Sequence, residues 1–261
     1  MRLYMNAEEA FEEIKRDLSE MGIKVYPKTM QDKYIWGNPD YETLELQNYN
    51  YTILDITSDS IPGVVQPWAD LEFGERITDP YSQRRYAKVN WENGDKDKQQ
   101  YSWVVLKDDI DKGNFINPGK AYLERFDVWE EYLHDGKLAY TYNELIWKND
   151  QLTKVIERIK EDPDSRQLWL SLWDNSKHID LLGGVSRVPC SLGYGFQVRE
   201  GKLNMHYVMR SCDFSTHFRN DVYLAVKLLE YVAKETGYPV GNFTHTIFSL
   251  HIYKKDAEGV F

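Results

Sequence analysis

The C-terminal third of the chain constrains the fold most, because it places a tight hairpin before a long apolar helix and a final strand. Residues 190–198 and 203–209 alternate between apolar and polar positions like strands, and the turn at Gly201 is typical of a hairpin. Residues 248–253 have the composition of another strand. Because hairpins and helices recur along the chain, we predict an α+β fold.

A long helix separates the hairpin from the last strand. Asn220 or Asp221 is predicted to cap its N-terminus, and Gly237 is predicted to end it. The apolar positions recur at helical spacing and predict one buried face, formed by Val222, Ala225, Val226, Leu229 and Val232.

The N-terminal part begins with a second well-marked helix. Asn6 and Glu9 have the spacing of a capping box, and Gly22 suits the end of the helix that follows. Residues 37–49 are polar and rich in turn-forming residues, so we predict a loop there. Residues 51–56 alternate like a strand.

The middle of the chain carries three more predicted helices. Asp79 and Asn117 each open one, and a third with an apolar face ends at the Asp162-Pro163 turn. The apolar residues 168–173 after that turn predict a strand.

Composition favours one soluble globular domain over residues 1–261. Apolar residues make up 42% and aromatic residues 14% of the chain, which excludes extensive disorder. A net charge of −10 argues against direct binding of nucleic acid, and no apolar run is long enough to span a membrane. Two cysteines and an N-terminus without a signal-peptide pattern predict a cytoplasmic protein. The six histidines have no ligand spacing with the cysteines, so we predict no metal site.

Cys190 is the candidate for covalent chemistry. It follows a proline between short apolar strands, and both a nucleophile and a small buried side chain fit that place. Arg166 follows a helix-ending turn and Arg210 ends a strand, and a guanidinium beside a thiol favours the thiolate. Guanidinium groups also bind phosphate through paired hydrogen bonds, so Arg210 and Ser211 form a candidate anion site.

Six short motifs in register resemble the thymidylate synthase superfamily over residues 138–253. They are Asp162-Pro163-Asp164-Ser165-Arg166, Trp173-Asp174, Pro189-Cys190, Gly201-Lys202-Leu203, Arg210-Ser211-Cys212-Asp213 and His251-Ile252-Tyr253. Residues 1–137 carry little of the resemblance and are predicted to be a divergent part of the same domain. The resemblance implies a mixed sheet packed by helices, in a homodimer joined sheet to sheet. It also implies a cysteine that adds to C6 of a pyrimidine nucleoside monophosphate, whose C5 then attacks the one-carbon unit of the cosubstrate 5,10-methylenetetrahydrofolate.

Matching positions in these motifs carry the roles that the resemblance implies. Cys190 is the expected nucleophile, and Tyr142 resembles the active-site tyrosine of the family. Arg210 and Ser211 are expected to hold the phosphate, and Arg166 is expected to reach the phosphate site of the partner subunit.

Other positions are expected to contact the folate, the sugar and the base. Asp213 corresponds to a contact with the folate pterin, and His251 and Tyr253 correspond to contacts with the deoxyribose hydroxyl. Asn220 and Asp221 lie in a run that resembles the dCMP hydroxymethylases of T-even-type phages, and both are predicted to bind substrate.

Asp221 is also a predicted catalytic residue, because it replaces the asparagine with which synthases read uracil. Cytosine presents N3 as an acceptor and its 4-amino group as a donor. A carboxyl accepts from the amino group and, when protonated, donates to N3, whereas O4 of uracil repels a carboxylate. We therefore predict a 5-hydroxymethylase with dCMP as the favoured substrate.

The end of the sequence predicts the same product. Synthases continue past the motif of Tyr253 and close the site with their final residues, whereas this sequence ends at Phe261. We expect such a site to admit water, which would attack the exocyclic methylene group and give hydroxymethyl instead of methyl.

Several alternatives stay open at this point. The general-base glutamate of the family is Glu72, Glu75 or absent. The first alternative function is a thymidylate synthase or a dUMP hydroxymethylase, and the second is a catalytically dead nucleotide-binding homologue. The residues do not distinguish a ribonucleotide from a deoxyribonucleotide.

Overall fold

A seven-stranded mixed sheet forms the centre of the computed structural model, which describes residues 2–27, 38–77, 79, 140–182 and 188–261. The strands are β1 (Arg2–Tyr4), β2 (Ile23–Val25), β3 (Thr43–Ile53), β4 (Trp169–Ser171), β5 (Ser191–Arg199), β6 (Lys202–Asp213) and β7 (Val240–Tyr253). Their order is β1-β3-β7-β6-β5-β4, and β2 pairs with β3 outside this path. β6 and β7 run parallel, whereas β5 and β6, and β3 and β7, are antiparallel. The predicted α+β class is therefore confirmed.

The described helices are α1 (Ala7–Met21), α2 (Trp68–Arg76), α3 (Tyr142–Trp147), α4 (Gln151–Glu161), α5 (Asn175–His178), α6 (Phe218–Thr236) and α7 (Lys254–Ala257). The predicted ends of α1 are confirmed, because the Asn6 side chain accepts from the Glu9 N–H at 2.9 Å and Gly22 closes the helix. None of these helices, in the part of the chain described, is long and apolar enough to cross a membrane.

The core lies between α6 and one face of the sheet. Every second residue of segments 194–198 in β5 and 203–209 in β6 is buried there, with large aromatic side chains at Tyr194, Phe196 and Tyr207. The rings of Tyr194 and Tyr207 stack at 4.8 Å between centroids, and Tyr207 stacks in turn on His245 of β7 at 4.6 Å. Burial lowers the pKa of His245 to about 3, so its ring packs in the neutral form.

In each of the three central strands, β3, β6 and β7, the alternation between buried and exposed residues shifts by one residue. The shift occurs at the same row of paired residues in all three strands. Tyr49, Ile247 and Met209 are buried in one row of paired residues, and the next buried row is Leu46, Leu250 and Cys212. The separation of three residues reverses the inward and outward parity that a regular strand would keep. In β3 the reversal coincides with Asn48, whose φ is 51°. We call this row the fold line of the sheet.

Two predictions about these elements are wrong. The predicted loop over residues 37–49 contains the first half of β3, which starts at Thr43. Its polar residues are tolerated because Leu46 and Tyr49 are buried between them and the strand pairs with β7 along its length. The long helix is capped by neither Asn220 nor Asp221: it begins at Phe218, one turn earlier, and His217 precedes it without a side-chain cap. The helices predicted to open at Asp79 and Asn117 lie outside the described residues.

Candidate active site

Cys190 and Arg210 form the centre of the site, on neighbouring strands of the sheet. The Arg210 N–H donates to the Cys190 carbonyl at 2.8 Å, which continues the β5–β6 pairing by one residue. The Arg210 guanidinium turns back over this loop, with Nε donating to the Pro189 carbonyl at 3.1 Å and Nη2 to the Val188 carbonyl at 3.3 Å. Nη2 also lies 3.5 Å from Cys190 Sγ. The structure therefore places a positive charge beside a half-buried free thiol.

Tyr142 contacts the residue that follows the cysteine. It is the first residue of α3, which is held at this end by a capping box between Thr141 and Glu144. The Ser191 N–H donates to the Tyr142 hydroxyl oxygen at 3.4 Å. Burial raises the pKa of Tyr142, the charge of Cys190 raises it further, and Arg76 opposes both. The structure thus places Tyr142, predicted to resemble an active-site tyrosine, next to the segment of Cys190.

Asp221 lies in the first turn of α6, next to the end of β6. The Cys212 thiol donates to Asp221 Oδ2 at 3.6 Å. Burial raises the pKa of Asp221 to about 6, the charges of Glu72 and Asp213 add to that rise, and Arg76 and the Cys212 hydrogen bond oppose it. Because Asp221 is not the helix cap, its carboxyl is available to the site, and its neutral form is populated near pH 6.

A buried ion pair on α2 completes this side of the site. Arg76 Nε donates to Glu72 Oε1 at 2.8 Å, one helical turn away, and both side chains are less than a tenth exposed. The Arg76 guanidinium also lies over the Tyr142 ring, 4.3 Å from its centroid. Glu72 is therefore the candidate glutamate that the structure brings to the site, whereas the side chain of Glu75 lies outside the described residues.

Arg76 is a site residue that the sequence reasoning missed. In the part of the chain that is described, its Nη1 has no hydrogen-bond partner. Leaving a buried donor unbonded costs on the order of 1–3 kcal/mol, so the arrangement is unusual for a purely structural arginine. The i, i+4 spacing of Glu72 and Arg76 was the available signal, but that spacing is common on exposed helices.

The remaining predicted residues on β6 and β7 lie together beyond the fold line. Ser211 pairs with Ser249 and Asp213 pairs with His251, because the two strands run parallel. Asp213 is buried and its Oδ1 accepts from the backbone N–H of Ser215 at 3.0 Å.

Two rings follow Asp213 at the end of β7. The rings of His251 and Tyr253 meet edge to face at 5.6 Å between centroids. The structure thus brings together one carboxylate, two hydroxyl groups and an imidazole at the ends of two parallel strands.

Two of the predicted site residues, Arg166 and Asn220, are not grouped with the others or have a structural partner of their own. Arg166 is exposed and precedes β4, two strands away from β6, so within one chain it is not grouped with the other site residues. Asn220 is buried, and its Oδ1 accepts from the Val65 N–H at 2.9 Å, which ties α6 to the segment before α2. Neither observation tests their predicted contacts with a nucleotide.

Asp213 supplies a buried carboxylate at this end of the site, and a carboxylate is an acceptor for N–H donors. Among the described residues, no group of three or more His, Cys, Asp or Glu side chains comes together to hold a metal ion.

Comparison with known proteins identifies relatives for this arrangement. A model of the family "Thymidylate synthase" matches residues 117–261, more than half of the chain. A thymidylate synthase of Clostridium beijerinckii is 31% identical over 134 residues, which is 51% of this chain and 49% of that protein. The chain therefore spans about half the length of this curated relative.

Two solved structures extend the likeness to nearly the whole chain. The thermostable thymidylate synthase A from Bacillus subtilis has a TM-score of 0.63 at 18% identity and covers 96% of this chain and 81% of its own. The thymidylate synthase from T4 phage has a TM-score of 0.64 at 19% identity and covers 95% of this chain and 78% of its own. At these identities the likeness concerns the fold alone.

Proposed function

The chain belongs to the thymidylate synthase family, and from that membership and the site geometry we propose that it is a folate-dependent pyrimidine nucleotide 5-hydroxymethylase with dCMP as the favoured substrate. Members of the family bind a pyrimidine nucleotide, take a one-carbon unit from methylenetetrahydrofolate and form dimers. The finer statement, a cytosine nucleotide and a hydroxymethyl product, is our proposal.

The contact between Arg210 and Cys190 supports the covalent step. A cation 3.5 Å from the sulfur stabilises the thiolate as it adds to C6 of the base. C5 then attacks the methylene carbon of the cosubstrate, which stays bonded to the folate nitrogen. C5 loses its proton to a base, and the bond between the methylene carbon and the folate nitrogen breaks, which releases tetrahydrofolate. Addition of water to the resulting exocyclic methylene group gives the hydroxymethyl product, and departure of the thiolate restores Cys190.

The carboxyl of Asp221 is the observation that supports cytosine, and not uracil, as the base of the substrate. An asparagine at this place reads uracil in the family, and here a carboxyl with a pKa of about 6 stands instead. In its neutral form the carboxyl donates to N3 and accepts from the 4-amino group, which is the pattern of cytosine. Its freedom from the helix cap supports this reading.

Glu72 is the proposed general base. It is buried, Arg76 holds it in place, and its charge raises the pKa of Asp221, so the two carboxyl groups influence each other electrostatically. A carboxylate at this place can take the C5 proton directly or through water.

A competition experiment tests the proposal. The protein is incubated with methylenetetrahydrofolate and equal amounts of dCMP, CMP and dUMP, and the products are identified by mass spectrometry. We expect 5-hydroxymethyl-dCMP as the main product. Asp221→Asn should shift the ratio of kcat/KM for dCMP and dUMP toward dUMP by about 100-fold, because a neutral amide complements uracil. Asp55→Asn, an exposed carboxyl outside the site, is the control and should leave the ratio unchanged.

Two results would contradict the proposal, and each favours a named alternative. Formation of thymidylate from dUMP alone would identify a thymidylate synthase, the activity named in the relatives above. Failure to form a covalent adduct at Cys190 with 5-fluoro-dCMP and the folate, in protein that binds the nucleotide, would identify a non-catalytic homologue.

A further inference from the structure

The buried pair of Glu72 and Arg76 places a fixed cation inside the site. The two residues lie one turn apart on α2, joined at 2.8 Å, and each is 6% exposed. Arg76 is further fixed by the Tyr142 ring below its guanidinium and by its own carbonyl, which accepts from Trp147 Nε1 at 3.2 Å. A solvated surface ion pair would have none of these constraints.

The helix that carries this pair is packed against the start of α6. Gln66 Nε2 donates to the Tyr223 hydroxyl at 3.1 Å, and that hydroxyl donates to Asp70 Oδ1 at 2.5 Å. Together with the bond between Val65 and Asn220, these contacts flank Asp221 on both sides. These three hydrogen bonds, one from α2 itself and two from the segment directly before it, therefore hold the helix of Arg76 against the first turns of α6.

Among the residues that the structure describes, the charged and titratable groups around Asp221 come from four elements. They are Glu72 and Arg76 of α2, Tyr142 of α3, Tyr194 of β5, and Tyr207, Cys212 and Asp213 of β6. Burial raises the pKa of each of the three tyrosines and of Cys212, so these four groups are neutral near pH 7. Within this set, Arg76 carries the positive charge, and Glu72 and Asp213 are carboxylic acids like Asp221.

We infer that Arg76 is a positioning residue of this site, whose fixed guanidinium shifts the balance between the neutral acid and the carboxylate forms in which Asp221 meets the base. The inference rests on the proposed function, because it assigns Asp221 to the base. Arg76 favours the carboxylate form and Glu72 favours the acid form, so the two partners of one ion pair act on Asp221 in opposite directions.

The consequence is that productive binding of dCMP depends on pH. Only the neutral acid supplies a donor for N3 of cytosine, so productive binding of dCMP should decline as the pH rises through the titration of Asp221. Removing the cation at position 76 should move this decline to higher pH. Removing the negative charge at position 72 should move it to lower pH.

The test is a titration of the Asp221 carboxyl by carbon NMR in protein labelled at the aspartate carboxyl carbon, with Asp221→Asn to assign the signal. Arg76→Met should raise the midpoint by about one pH unit, Glu72→Gln should lower it, and Arg76→Lys should leave it near the original value. A variant that only loosened the fold would not move the midpoint in opposite directions for the two partners. A midpoint that stays unchanged in both Arg76→Met and Glu72→Gln, or moves the same way in both, overturns the inference.

A double variant covers the case in which Arg76→Met does not fold. Glu72→Gln/Arg76→Met removes both buried charges together, and because Arg76 influences Asp221 more than Glu72 does, the midpoint should still rise, by less than in the single variant. A fall in the midpoint overturns the inference.

Binding of dCMP without folate, measured by calorimetry from pH 5 to 8, should follow the NMR midpoint of each variant. The NMR titration needs no nucleotide, so failure of the proposed function is a separate result, namely wild-type protein that binds no dCMP at any pH.

Discussion

Asp221 shows how one half-buried carboxyl links the site to the stability of the fold. Its pKa rises from the ordinary 3.8 to about 6, mainly through burial. The native state therefore binds a proton more tightly than the unfolded chain does. Stability from this group is present below pH 4, declines as the pH rises between about 4 and 6, and stays lost above that window.

Asp221→Asn removes this dependence and should stabilise the protein at neutral pH. The gain is expected to be on the order of 2 kcal/mol above pH 6 and close to zero below pH 4, because the amide is never charged. Urea unfolding at pH 4, 5, 7 and 8 measures it, with Asp55→Asn as the exposed control. A difference between Asp221→Asn and the wild-type protein that does not change with pH would contradict the assignment of the raised pKa to Asp221.

Individual site residues were predictable where they belong to short sequence motifs. The spacing of Cys190 and Arg210 was visible in the sequence, and the structure joins the two side chains. Arg76 was not predictable, because its role depends on a helix packing that brings Tyr142 under its guanidinium from a distant part of the chain. Sequence distance hides such contacts, and no local pattern marks them.

At the scale of elements, the packing of β4 against β5 depends on the indole ring of Trp169. Trp169 of β4 lies across the glycines of β5. A Cβ at Gly193 would come within 2.4 Å of the Trp169 ring and 2.5 Å of the Leu170 carbonyl, whereas a Cβ at Gly195 would lie 3.5 Å from the same ring. Position 193 therefore requires glycine, whereas a Cβ at position 195 would make an ordinary van der Waals contact with the ring.

Gly193→Ala should destabilise the protein by about 1–3 kcal/mol, since the clash includes backbone that cannot move away. Gly195→Ala is a matched control on the same strand against the same ring, and it should change stability by less than about 0.5 kcal/mol. Guanidinium unfolding of both variants at pH 7 provides the measurement. Equal effects of the two substitutions would show that Trp169 does not pack on Gly193 as described.

Elements were predictable where local signals agree with tertiary packing. The capping residue Asn6 and the alternation of β5 and β6 are such cases. The start of β3 was missed because its strand is supported by pairing with β7, about 200 residues away, which a local pattern of polar residues does not reveal. The start of α6 was misplaced because strong capping residues inside the first turn compete with the true boundary.

At the scale of the whole molecule, the face of the sheet away from the helices carries polar bonds and exposed aromatic rings. His206 Nε2 and Thr246 Oγ1 lie 2.8 Å apart on β6 and β7, and Asn50 of β3 donates to the same threonine oxygen. Trp169 and Phe248 are each 47% exposed. We propose this face as the surface of the predicted sheet-to-sheet homodimer, in which Arg166 reaches the partner's phosphate site.

Mixing two inactive variants tests the shared site. Cys190→Ser lacks the nucleophile and Arg166→Ala lacks the predicted phosphate ligand, but a mixed dimer has one site with both residues intact. Random pairing makes about half of the dimers mixed, so activity should return to about a quarter of the wild-type value. Product formation after joint unfolding and refolding is the measurement. No recovery, with mixed dimers demonstrated by mass spectrometry, would contradict the role of Arg166 across the interface.

The fold line divides the sheet into two parts in which opposite sets of alternate residues face the core. In β7 the odd-numbered residues point into the core up to Ile247, and the even-numbered residues do so from Leu250 onward. A single-residue deletion at Phe248 would therefore exchange inside and outside for everything beyond it, and His251 would replace Leu250 in the core. The predicted sugar contacts at His251 and Tyr253 therefore depend on which alternate residues of β7 face the core as much as on residue identity.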